Sequence, residues 1–169
     1  MFIAKRLQAV FAAVGLCMLL AACGTGRTIV MEPPQRKVFS AVTLLRANDT
    51  VPVPEEYRVR FVNKIRELLY GSKEKPGPFA EGGGLTIRIK VVQFTAGNQF
   101  ERWFWGGIGN AGEGSINVLA EFMDGDTKLA QTQTEGRIGS GFFGGSMGEA
   151  VDKAAEEIAK YAVANFRAP

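Results

Sequence analysis

Histidine is absent from all 169 residues, and cysteine occurs only twice. Without imidazole there is no Ser-His-Asp triad, no Cys-His pair and no histidine ligand for zinc, so the commonest hydrolase and metalloenzyme sites cannot be assembled. No group of acidic residues has metal-ligand spacing either, and neither a metal nor a cofactor is expected. Long apolar runs are also missing: the stretch Ala9 to Leu20 falls short of the about 20 residues that a transmembrane helix needs. A chain of this length favours one domain. What the sequence does hold is 21 glycines, an apolar share of 46% and a basic excess of 20 Lys and Arg over 17 Asp and Glu. That excess, with a pI near 9.0, points toward nucleic acid or an anionic membrane unless the charges lie in a segment the mature protein loses.

They do. Residues 1–22 read as a secretory signal, with Lys5 and Arg6 as the positive start and Ala9 to Leu20 as the apolar core. Removing them takes two bases and no acid, so 20 against 17 becomes 18 against 17, and no nucleic-acid partner is expected. The apolar share falls to about 41%, an ordinary value for a globular domain. The following residues, Leu20-Ala21-Ala22-Cys23-Gly24, resemble the lipobox of bacterial lipoproteins. That resemblance implies cleavage between Ala22 and Cys23, a diacylglyceryl thioether on Cys23 and an acylated amine. Gly24 in place of Asp resembles the pattern that sends such proteins to the outer membrane. Cys17 would leave with the signal, so the mature chain would keep no thiol and no disulfide. Each buried methylene contributes about 0.8 kcal/mol, and two or three acyl chains hold a protein on a membrane essentially for good.

Residues 23–37 mix Gly, Pro33-Pro34 and charges without periodicity and are expected to be a flexible tether. The domain is then residues 38–169. Val38 to Leu45 has strand composition, and Asn48-Asp49-Thr50 breaks it; the glycosylation sequon there carries no weight behind a bacterial signal. Pro54-Glu55-Glu56 suits a first helical turn, because proline there wastes no hydrogen bond and acids favour the positive dipole end. Phe61, Val62, Ile65, Leu68 and Leu69 follow at helical spacing up to Gly71. Beyond a Gly/Pro loop to Gly84, Leu85, Ile87, Ile89 and Val91 alternate with Thr86, Arg88 and Lys90 as in a half-buried strand. Ile116, Val118, Ala120 and Phe122 alternate likewise. Asp124-Gly125-Asp126 is a tight turn, whose two carboxylates are turn chemistry rather than an acid/base pair. Lys128 to Ile138 returns with a Gln/Thr-rich pattern that suggests an edge strand or one solvated face. A last helix runs from Met147 to about Phe166, with Ser146 and Glu149 spaced as a capping box. The expected fold is α+β: one β-α-β-β-β-α domain, its mostly antiparallel sheet backed by two helices.

Three motifs match without their context. Gly139-Ser140-Gly141-Phe142-Phe143-Gly144 and Gly107-Ile108-Gly109-Asn110-Ala111-Gly112 both fit G-x-G-x-x-G. Neither is followed by the further parallel strand and acidic residue of a dinucleotide site. Gly144-Gly145-Ser146-Met147-Gly148 fits the G-x-S-x-G nucleophile elbow, but no histidine is present to serve Ser146 as base, leaving only a Ser-Lys dyad for a serine hydrolase. A helix cap asks nothing more of Ser146 than Glu149.

The aromatics are the unusual feature. Phe100, Trp103, Phe104 and Trp105 surround Glu101 and Arg102 between glycines, and Phe142-Phe143 forms a second pair among glycines. If the strands over 115–123 and 128–138 form a hairpin, both segments belong to one end of the sheet. There they either seal the core or form an exposed surface of Phe100, Arg102, Trp103, Phe104, Trp105, Phe142 and Phe143 for a protein partner, an apolar ligand or a membrane interface.

With Arg102, Gly107, Gly109, Gly112, Gly114, the strand to Asp124, the strand ending at Gly136 and the Phe143-Gly144-Gly145 turn into an Ala-rich helix, residues 38–165 resemble the family DUF4410, a lipoprotein domain of unknown function. The resemblance implies an envelope lipoprotein with a compact α+β domain and no established activity. The layout is also similar to small assembly lipoproteins of the curli-secretion type. The expected protein is a non-enzymatic binding or accessory module, lipid-anchored in the outer membrane with its domain facing the periplasm, or on the cell surface. A carrier or chaperone shielding a lipid or other apolar ligand is the alternative, and a hydrolase using Ser146 is a remote one.

Overall fold

The computed structural model describes residues 25–96, 114–138 and 145–168. Ala22, Cys23, Phe100, Arg102, Trp103, Phe104, Trp105, Phe142 and Phe143 lie outside the described residues. The elements run β1 (Thr25–Glu32), β2 (Ala41–Arg46), α1 (Glu55–Tyr70), β3 (Ala80–Glu81), β4 (Leu85–Thr95), β5 (Ser115–Asp124), β6 (Thr127–Arg137) and α2 (Met147–Phe166). Together the strands make one sheet in the order β1-β6-β5-β4-β2-β3, antiparallel from β1 to β4 and parallel from β4 through β2 to β3. The fold is therefore α+β, a mostly antiparallel sheet backed by two helices.

The strand periodicity sets which face meets the helices. Leu85, Ile87, Ile89 and Val91 of β4 and Ile116, Val118, Ala120 and Phe122 of β5 are all buried, and the pairs Ile87↔Phe122, Ile89↔Ala120 and Val91↔Val118 stand opposite one another. An irregularity between Val91 and Gln93 turns the alternation over, so Phe94 rather than Gln93 shares the inner face, opposite Ile116. From α1, Phe61, Ile65 and Leu69 join this core; from α2, Val151, Ala154, Ile158, Ala162 and Phe166 do. A bidentate ion pair from Arg60 Nε and Nη2 to Asp152, at 2.9 and 2.7 Å, ties the helices together.

Two expectations need correction. Residues 25–32, expected within the flexible tether, form β1, paired with β6 from Thr25↔Arg137 to Glu32↔Gln131. The face that β1 turns to α2 carries Gly26 and Thr28, so its packing leaves no hydrophobic period to read. A Cβ at Gly26 would stand 2.7 Å from Glu157 Cγ, and Thr28 Oγ1 lies 3.1 Å from Thr134 Oγ1. Glycine serves close approach here, not flexibility. β6 in turn is no edge: β1 covers it, and its polar Thr132 and Thr134 are fully buried beneath α2. With β3 recruited from the Gly/Pro loop, the sheet has six strands rather than four. β2 begins at Ala41 rather than at Val38, because Phe39 instead forms a parallel bridge with Arg167 just past α2.

Candidate functional site

The aromatic segments can be located by the residues on either side of them. Thr95 pairs with Ser115, Ser115 with Arg137 and Arg137 with Thr25, so one row of the sheet holds the last residue of β4, the first of β5, the last of β6 and the first of β1. Ile138 N donates to Gly114 O at 2.9 Å. A Cβ at Gly114 would lie 2.4 Å from Ile138 Cδ1 and 3.0 Å from both Ala96 O and Met147 Sδ. Ala96 and Gly114, which flank residues 97–113, thus meet Ile138, which precedes residues 139–144, and Met147, which opens α2. The hairpin expectation is met for these flanks: β5 and β6 pair antiparallel across the Gly125 turn, where φ is +56°.

Ser146 sits at this end as a helix cap. Its Oγ accepts from Glu149 N and its own N donates to Glu149 Oε2, both at 3.2 Å, which completes the capping box. Ser146→Ala should cost about 1 kcal/mol of stability in a urea titration of the domain and leave the fold unchanged. A loss much beyond that would mean that the hydroxyl does more than cap. At the opposite end Asp124 pairs with Lys37. Among the described residues no group of three His, Cys, Asp or Glu side chains is placed to hold a metal ion.

A polar groove that sequence reasoning did not single out lies beside the start of α1. It encloses about 390 Å³, is open to solvent, and is lined by Arg46, Asn48, Asp49, Pro52, Val53 and Arg58 among others. Its charges already serve the fold. Asp49 accepts from Val91 N at 3.0 Å where the β4 ladder is interrupted, and pairs with Arg46. Arg58 donates to Val53 O at 3.1 Å and pairs with Glu55 at 3.1 Å. The apolar pocket next to it holds only about 10 Å³, room for a single water at most. Ionisation elsewhere is shifted by structural contacts. The Asp152 hydrogen bond holds Arg60 above the usual guanidinium value, and burial raises Tyr161. Burial also raises Tyr70, partly offset by the backbone N–H of Leu44, which donates to its hydroxyl.

One further surface is unpartnered among the described residues: Ile29, Val30 and Met31 on the edge strand β1 are about half exposed. No described helix is long and apolar enough to cross a membrane.

No curated protein matches the chain. Among solved structures it is similar to the PelC dodecamer from Paraburkholderia phytofirmans, with 13% identity over 86% of this chain and 99% of that one, at a TM-score of 0.45. A variant of the same dodecamer gives 12% identity over 85% of this chain and 100% of that one, at 0.46. The family model described as "Domain of unknown function (DUF4410)" matches residues 54–160, from the residue before α1 to well inside α2, and the chain belongs to that family.

Proposed function

We propose that the protein is a lipoprotein of the bacterial envelope, acylated on Cys23 and held in the outer membrane, whose domain faces the periplasm and binds a partner without catalysing a reaction. The observation that carries this reading is the run Leu20-Ala21-Ala22-Cys23 directly after a secretory-type segment. The absence of histidine and the use of Ser146 as a cap support a binding rather than a catalytic role. The proposed binding surface is Phe100, Arg102, Trp103, Phe104, Trp105, Phe142 and Phe143, since aromatics and arginine dominate contact energetics and the flanks of both segments converge. A protein partner is favoured over a carried apolar ligand, because the surface combines Arg102 with Trp and Phe, the residue types that protein interfaces enrich.

Cys23→Ser tests the anchor. The unsubstituted protein should incorporate labelled fatty acid and fractionate with membranes, and the variant should lose the label and appear as an uncleaved or soluble form. Unchanged labelling and fractionation would overturn the reading.

A further inference from the structure

We infer that the domain stands end-on against the bilayer, with the sheet end that carries Thr25, Thr95, Ser115 and Arg137 facing the lipid and the Asp124–Thr127 turn facing away. This rests on the acylation of Cys23 proposed above. A single residue, Gly24, separates Cys23 from the first residue of β1. Two residues of chain span at most about 7 Å, so the acylated position cannot lie farther than that from Thr25.

β1 has no slack with which to escape this constraint. It is hydrogen-bonded to β6 from its first residue, its Gly26 lies under α2 with Lys153 O 3.1 Å from where a Cβ would be, and Thr28 meets Thr134. Peeling it away would uncover the buried Thr132, Thr134 and Gly136 lane of β6. A flexible tether would let the domain take any orientation. A strand that begins two residues after the anchor keeps this end of the sheet at the lipid.

The register carries the orientation from β1 to the rest of the sheet. Thr25 shares its row with Arg137, Ser115 and Thr95, whereas β5 runs ten residues and β6 eleven between that row and the turn at the other end. At about 3.3 Å per residue that turn stands ~30 Å farther from the anchor. The segments 97–113 and 139–144 join the described chain at this same end, so the partner proposed for their aromatic residues is met close to the membrane rather than ~30 Å away from it. Covalent reach selects the end, and its occupant is the lipid surface that holds the protein's own acyl chains.

The test uses the full, processed lipoprotein. Its mature form keeps no free thiol once Cys23 is a thioether, so one introduced cysteine takes one label. Thr95→Cys and Asp126→Cys, both at exposed positions, are labelled with an environment-sensitive fluorophore. Each is bound to phosphatidylethanolamine/phosphatidylglycerol vesicles with a headgroup-attached quencher. The label at 95 should shift to the blue and be quenched several-fold more than the label at 126. Equal quenching at both sites, or stronger quenching at 126, in protein that is acylated and vesicle-bound would overturn the orientation and leave the anchor standing. An N-terminal peptide whose mass shows no acyl chain would overturn the anchor instead.

Discussion

Gly136→Val should destabilise the domain by about 3 kcal/mol and lower its melting temperature by about 10 °C. Position 136 needs no unusual backbone angle; what it lacks is space. A Cβ there would lie 1.9 Å from Ala150 O, 2.9 Å from Ala150 C and 3.1 Å from Ala154 N. All three are backbone atoms of α2, so no side chain can rotate away and the helix itself must lift off β6. Lifting it would loosen Ala150, Val151 and Ala154, each fully buried, and would also disturb the Gly26 contact on the neighbouring strand. Gly26→Ala is the internal comparison: its closest neighbour, at 2.7 Å, is Glu157 Cγ on a side chain that can move, so a smaller loss is expected. Paired urea titrations of the two variants measure the difference. Equal and small losses would mean that α2 does not rest on β6 as closely as this.

The same contact explains which parts of the fold are legible in the sequence. β4 and β5 write their inner faces in Leu, Ile, Val and Phe, and α2 writes its own from Val151 to Phe166 with a capping box at its start, so period and cap give their positions directly. β1 and β6 write theirs in Gly26, Thr28, Thr132, Thr134 and Gly136, because the Ala-rich face of α2 comes so near that little side chain fits between. Burial there is achieved by the lack of a side chain. Hydrophobic periodicity cannot register it, and so β1 reads as a tether and β6 as an edge or a strand with one solvated face. The alternation of β4 likewise fails after Val91, where Asp49 takes the Val91 amide from 42 positions away. Such a contact exists only once the chain has folded, which is also why the groove around Arg46, Asp49 and Arg58 has no signature in the sequence.

For the candidate site, the convergence of the segment flanks follows from a hairpin and one antiparallel neighbour, both of which alternation and a Gly-centred turn announce. The position of the proposed anchor relative to that end does not. It depends on β1, the strand hidden by its own small residues, and reading 25–32 as a tether removes the observation on which the proposed orientation rests.

The second large effect is expected at the opposite end of the core. Phe122 is fully buried, faces Ile87 on β4, and has its ring centroid 5.2 Å from that of Phe166 and 5.0 Å from that of Tyr161. Phe166 closes α2, and its carbonyl accepts from Phe39 N at 2.7 Å, while Phe39 O accepts from Ala168 N at 3.0 Å. One ring therefore joins the centre of the sheet, the end of α2 and the segment that leads into β2. Phe122→Ala should cost about 3–5 kcal/mol, from lost burial and the cavity left behind. Against a total of about 5–15 kcal/mol, that leaves a marginal domain. Phe122→Leu fills most of the volume and should cost clearly less. Tyr161 supplies a second readout that a general loss of stability would not give. Burial holds its ionisation above the usual tyrosine value, and its hydroxyl has no hydrogen-bond partner among the described residues. A raised value in the folded state means that this group's contribution is intact below pH ~10 and is lost as pH climbs through the folded value. Admitting water beside Tyr161 relieves the desolvation, so in Phe122→Ala the tyrosinate absorbance should develop at lower pH than in the unsubstituted protein, under conditions where both are folded. If the alkaline titration stayed in place while stability fell, Phe122 would be filling volume without shielding Tyr161, and the ring contacts at the end of α2 would be incidental to it.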